Sequence, residues 1–79
     1  MNQNQLAEIV HFHRKKSGLS QAALARLAGL GKTVIFDVEH GKQSVRWETI
    51  VKILEVLNIK MEFKSPLMEL FRTQFDEKS

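Results

Sequence analysis

The chain has 79 residues, 43% of them apolar, with 12 Lys plus Arg against 9 Asp plus Glu and no cysteine. That length allows one small domain, the apolar share is too high for a disordered chain, and the missing cysteine excludes disulfides and thiolate metal sites. A formal net charge of +3 weakly favours a polyanionic partner, no apolar run is long enough to span a membrane, and the polar start MNQNQ does not read as a signal peptide.

Leu6, Ile9, Val10 and Phe12 predict a first helix over 4–16, ended by Ser17 and Gly18. Ser20 offers an N-cap hydroxyl to a second helix through Leu24, Ala25, Leu27 and Ala28, and Gly29 suits the left-handed conformation that ends many helices. Only Leu30 and Gly31 precede a third helix, Lys32 to about His40, with Ile35 and Val38 inward and Gly41 closing it. KQSVR is a loop. Trp47, Ile50, Val51, Ile53, Leu54 and Leu57 then form the strongest amphipathic run, although Arg46 is no N-cap and Ser44 is the nearest candidate.

After Asn58 the period changes: Ile59, Met61 and Phe63 alternate with Lys60, Glu62 and Lys64, the pattern of a strand with one apolar face. A lone strand in a helical chain lacks a partner for its backbone, and the same strand of a second chain is the cheapest one. Ile59, Met61 and Phe63 are therefore the expected dimer interface, with packing on their own domain as the alternative. Beyond Pro66, Leu67, Leu70, Phe71 and Phe75 recur at helical spacing, and the final DEKS should fray. The expected fold is all-α: a compact bundle of about five short helices with a helix-turn-helix, plus one C-terminal strand paired across a dimer and a short terminal helix. Residues 1–58 form the helix-turn-helix domain and 59–79 a dimerisation or partner-binding extension.

Two short helices joined by a tight Gly turn make a helix-turn-helix. A helix fits the DNA major groove, and the first turn of the second helix reaches base edges. The break at Gly29 then serves to aim Lys32 and Thr33 outward as the tip. A free helix N-terminus attracts phosphate, which gives Ser20 and Gln21 a role on the DNA backbone beside the groove.

The pattern LSQxxLAxxxGLGKxxI…ExGK, without a gap from Leu19 to Ile59, resembles the lambda-repressor-like, Cro-type helix-turn-helix family, often called XRE. The run IFDVEHGKQSVRWETIVKIL, followed by an alternating strand, is similar to HipB-type antitoxins, which repress their own operons and bind HipA-like kinase toxins. The resemblance implies a phosphate and base-edge role for Gln21, base reading by Lys32 and Thr33 with Val34 and Phe36 beside them, and phosphate contacts from His40, Lys42 and Gln43. It also implies a structural ion pair between Arg14 and Glu39. Phe36, Asp37 and Arg46 depart from the family's usual residues. An Asp37 facing DNA would repel phosphate, so it either points away or accepts a hydrogen bond from a cytosine amino group. For Phe36, packing on a thymine methyl stands beside partial burial against a neighbouring helix.

His11, His13 and His40 have no acidic or cysteine companions at ligand spacing, so neither metal nor cofactor is expected. No nucleophile, carboxylate pair or phosphate loop is framed for catalysis, and GLGK lacks the first Gly of such a loop; the expectation is not an enzyme. Two functions remain. One is a sequence-specific repressor that binds palindromic double-stranded operator DNA as a homodimer, cytoplasmic and nucleoid-associated when bound, with a HipA-like kinase toxin as the partner the resemblance implies and no membrane role. The other is a protein-interaction module acting through its C-terminal segment.

Overall fold

A computed structural model describes residues 2–76. Among these residues five helices follow one another: α1 Gln3–Lys16, α2 Gln21–Ala28, α3 Lys32–Glu39, α4 Trp47–Val56 and α5 Met68–Asp76. α1 starts earlier than its apolar pattern suggests because the Asn2 side chain accepts from the Gln5 amide at 2.8 Å, a polar N-cap. Its last turn carries His13, Arg14, Lys15 and Lys16, which suit the negative end of a helix. Ser20 caps α2 as expected, accepting from the Ala23 amide at 3.0 Å.

The first four helices end in one way. A residue in the left-handed region follows each (Gly18, Gly29, Gly41 and Asn58). The next amide reaches back to the last full turn: Leu19 to Arg14, Leu30 to Ala25, Lys42 to Asp37 and Ile59 to Leu54. This double use of orphan carbonyls ends a helix within two residues, so α2 and α3 follow one another with only Gly29, Leu30 and Gly31 between them. Leu19, Leu30 and Ile59 then pack against the core; after α3 the corresponding residue is Lys42.

The core is one cluster, Val10, Leu24, Ala25, Ile35, Val38, Ile50, Ile53, Leu54 and Leu57, drawn from α1 to α4 and the turn after α4. α2 lies against α3 and α4, and α3 also against α1. Each large aliphatic side chain taken fully out of water contributes about 1.5–3 kcal/mol, and Leu24, Ile35, Ile53 and Val10 are the ones most completely enclosed. Not every residue of the apolar runs goes inward: Phe12, Leu27 and Trp47 are exposed.

The expected C-terminal strand is not seen within one chain. Among the described residues none is in a strand, and 59–65 lie outside any helix, turn or ladder. The described residues offer that segment no edge to pair with. Ile59 and Met61 instead pack against their own core, leaving Phe63, 65% exposed, as the expected interface residue that faces outward. The terminal helix forms as α5, with Leu67, Leu70, Phe71 and Phe75 exposed. The expected fraying concerns chiefly 77–79, outside the described residues.

Candidate nucleic-acid interface

α3 begins without a side-chain cap: Gly31 has none to offer, the Val34 amide turns back to the Gly31 carbonyl at 3.1 Å, and Lys32 and Thr33 stand exposed at the helix start. Phe36 and His40 continue the same outer face one and two turns on, as the helical repeat requires. Phe36 is 48% exposed, so much of its side chain stays open on this outer face. Its ring stacks on His40 at 3.8 Å between centroids, and the His40 Nδ1 lies 2.7 Å from the Phe36 carbonyl oxygen, so the two rings form one stacked step.

Two concave surfaces flank this face. One is lined by Lys15, Ser20, Gln21 and Lys32, so the N-terminus of α2 and the tip of α3 meet there. The other is lined by Val34, Asp37, Lys42, Ser44, Arg46 and Thr49. Val34 is half-buried in that second notch and stands back from the tip. Lys42 and Gln43 are exposed in the loop after α3, and the Lys42 Nζ lies 3.4 Å from Asp37 Oδ2. Asp37 is thus turned along the helix toward the loop.

Behind the face, Glu39 ties three helices together. Arg14 of α1 donates from Nε to Glu39 Oε2 at 2.5 Å and from Nη2 to Oε1 at 3.0 Å, while its Nη1 donates to the Leu19 carbonyl at 2.8 Å. The Gln21 amide of α2 donates to Glu39 Oε1 at 3.3 Å, and His11 Nδ1 sits 2.9 Å from the same oxygen. Both charged side chains of the pair are enclosed, 9% exposed for Arg14 and 3% for Glu39. Gln21 is therefore held from behind, with its position at the head of α2 set by a residue at the foot of α3.

Burial pushes the Glu39 carboxyl up, but the hydrogen bonds from Arg14, His11 and Gln21 together with the Arg14 charge outweigh it and hold the group below its ordinary value. The same bond raises Arg14 against its own burial. A depressed carboxyl stabilises the fold above the unfolded value, about 4.3, and that contribution disappears as pH falls through the lower folded value, because the unfolded chain takes up its proton first. Denaturation midpoints measured from about pH 6 down to about pH 3 should therefore fall less steeply for Glu39→Gln than for the wild type across the acid window. Parallel slopes would mean that the pair does not set acid stability.

A family model described as helix-turn-helix (HTH_3) matches residues 10–64, more than half of the chain. The chain belongs to the helix-turn-helix family. This helix-turn-helix protein is 30% identical over 61 residues to the uncharacterized HTH-type transcriptional regulator y4mF of Sinorhizobium fredii (strain NBRC 101917 / NGR234), covering 77% of this chain and 80% of that one. Among solved structures it is similar to a HipA-HipB-O2-O3 complex, with a TM-score of 0.76 and 26% identity over 84% of this chain and 93% of the other. A HipB variant in complex with an O2 20mer gives the same TM-score at 27% identity, covering 84% and 92%. The chain is an XRE-type DNA-binding transcriptional regulator with a HipB-like structure.

Several residues of this helix-turn-helix surface escape a reading of the sequence. His11 joins Glu39, and its signal is the spacing of three from Arg14 that puts both on one face of α1. Lys15 lines the groove beside Lys32, and Arg46 the notch beside Lys42. Neither carries a sequence signal beyond its charge, since proximity there depends on how α1 and α4 cross the motif. No helix among the described residues is long and apolar enough to cross a membrane, and no group of three metal-ligating side chains is found among them.

Proposed function

We propose that this regulator is a homodimeric repressor of its own operon and the antitoxin of a HipA-like kinase, working in the cytoplasm and at the nucleoid. The observation that carries the reading is the uncapped start of α3, which presents Lys32 and Thr33 outward between two surfaces bearing Lys15 and Ser20 on one side and Lys42 and Arg46 on the other. Lys32 and Thr33 take the base edges, with the Phe36–His40 step beside them. Gln21 takes a phosphate and a base edge, and Ser20, His40, Lys42 and Gln43 take phosphates. Two such faces related by a two-fold axis read half-sites about one helical turn apart, roughly 34–36 Å. Occlusion of the promoter then suffices for repression, and no enzymatic role is invoked.

The antitoxin half of the reading draws on the likeness to the HipA-HipB-O2-O3 complex. A reporter fused to the promoter upstream of its own gene tests the repressor half. Supplying the wild-type chain should lower expression, and a chain with Lys32 and Thr33 both replaced by alanine should not. Equal expression with either chain would remove the motif from the control of that promoter.

Dimerisation is proposed to use the segment after Asn58, whose backbone forms no ladder within the chain and whose Phe63 side chain faces solvent. A second copy would supply the missing edge. Phe63→Glu, and then Phe63→Glu with Met61→Glu, should give a monomer in sedimentation velocity. The single variant comes first because Met61 also packs against its own core. A persisting dimer would place the interface elsewhere.

A second reading, a protein-interaction module, is favoured by one observation: Leu67, Leu70 and Phe71 lie exposed on and just before α5. On the repressor reading the same surface is where a toxin would dock. The two readings part in salt, because binding to phosphate weakens steeply with ionic strength and an apolar contact does not.

A further inference from the structure

The end of α3 differs from the ends of α1, α2 and α4 in one residue. The others lay an apolar side chain against the core after the left-handed turn, whereas α3 is followed by Lys42. The Lys42 amide donates to the Asp37 carbonyl at 3.0 Å, as this type of helix end requires. That bond brings the Lys42 side chain back along the helix to the Asp37 carboxylate, where Nζ and Oδ2 are 3.4 Å apart. Backbone and side chain together thus fix one acid of the recognition helix to one cation of the loop beside it.

We propose that Asp37 attenuates DNA affinity: its carboxylate holds the Lys42 ammonium in competition with DNA phosphate, lowering binding to every sequence without reading a base. The inference rests on the DNA-binding reading above. The Lys42 side chain is 55% exposed and that of Asp37 26%, so solvent screens the pair and a phosphate exchanges with the carboxylate at small cost. A cation already paired with a carboxylate neutralises less phosphate charge and displaces fewer of the counterions condensed on DNA, so its share of the salt dependence shrinks. Reading a cytosine amino group would instead require the carboxylate to leave Lys42 and turn into the groove.

The test is a salt-dependent anisotropy titration of the full chain against the duplex from upstream of its own gene and a scrambled duplex. Wild type, D37N, K42Q and the double variant are compared, with a thermal melt of each to confirm folding. D37N is expected to tighten binding to both duplexes alike, by about two- to five-fold, and to steepen the salt slope by up to about one unit. K42Q should cost more affinity in the D37N background than in the wild type, since removing Asp37 frees Lys42 for phosphate. A D37N variant that weakens only on its own duplex would make Asp37 a base reader and overturn the proposal. Unchanged affinity and slope on both duplexes would overturn it as well. A wild-type chain that binds neither duplex in a salt-dependent way would instead defeat the DNA-binding reading itself.

Discussion

Replacing Arg14 with alanine is expected to destabilise the domain by about 3 kcal/mol or more, within the 3–5 kcal/mol typical of breaking a buried pair by removing one partner. The variant leaves the Glu39 carboxylate enclosed with His11 and Gln21 alone, and it strips the Leu19 carbonyl of its donor. A chain of 79 residues commonly has only about 4–12 kcal/mol in total, so the loss is a large share and should be visible in a urea titration. Arg14→Lys should recover part of it, because one ammonium cannot reproduce the fork that reaches both Glu39 oxygens and Leu19. A loss below about 1 kcal/mol would mean that the pair behaves as a surface contact despite its enclosure.

The second large effect is on recognition. Replacing Lys32 and Thr33 together by alanine is expected to remove about 2 kcal/mol or more of discrimination between the protein's own duplex and a scrambled one, about thirty-fold in relative affinity. Stability should hold, because both residues are exposed at the uncapped start of α3 and neither belongs to the core. Binding to the scrambled duplex should fall much less, since Ser20, Gln21, Lys42 and Gln43 are left to hold the backbone. Competition titrations with the two duplexes measure the ratio directly. An unchanged ratio would take these two residues out of base reading.

How much of this was legible in the sequence differs from element to element. The helix-turn-helix could be read because local chemistry decides it: Ser20 caps α2, and Gly29 takes the left-handed turn that frees the start of α3. Arg14 and Glu39 meet in space although 25 residues apart, and only the family resemblance joins them beforehand. The segment after Asn58 was less legible, since alternation of apolar residues describes a strand face and equally a stretch that drops two side chains, Ile59 and Met61, onto a core already present. Period alone cannot separate the two when no second strand exists among the described residues. Asp37 stayed open for a similar reason. Its partner was decided by the backbone turn at Gly41, which carries Lys42 back to it, and composition says nothing of that path.

The face built by α2 and α3 is proposed to bind the operator of its own gene. Fluorescence anisotropy of the purified chain against the duplex from upstream of that gene, beside a scrambled duplex and at two salt concentrations, tests it most directly. Tight binding to the native duplex, weaker binding to the scrambled one, and a loss of both as salt rises are expected. Equal, weak binding to the two duplexes would contradict it and turn attention to the apolar residues Leu67, Leu70 and Phe71 as the working surface.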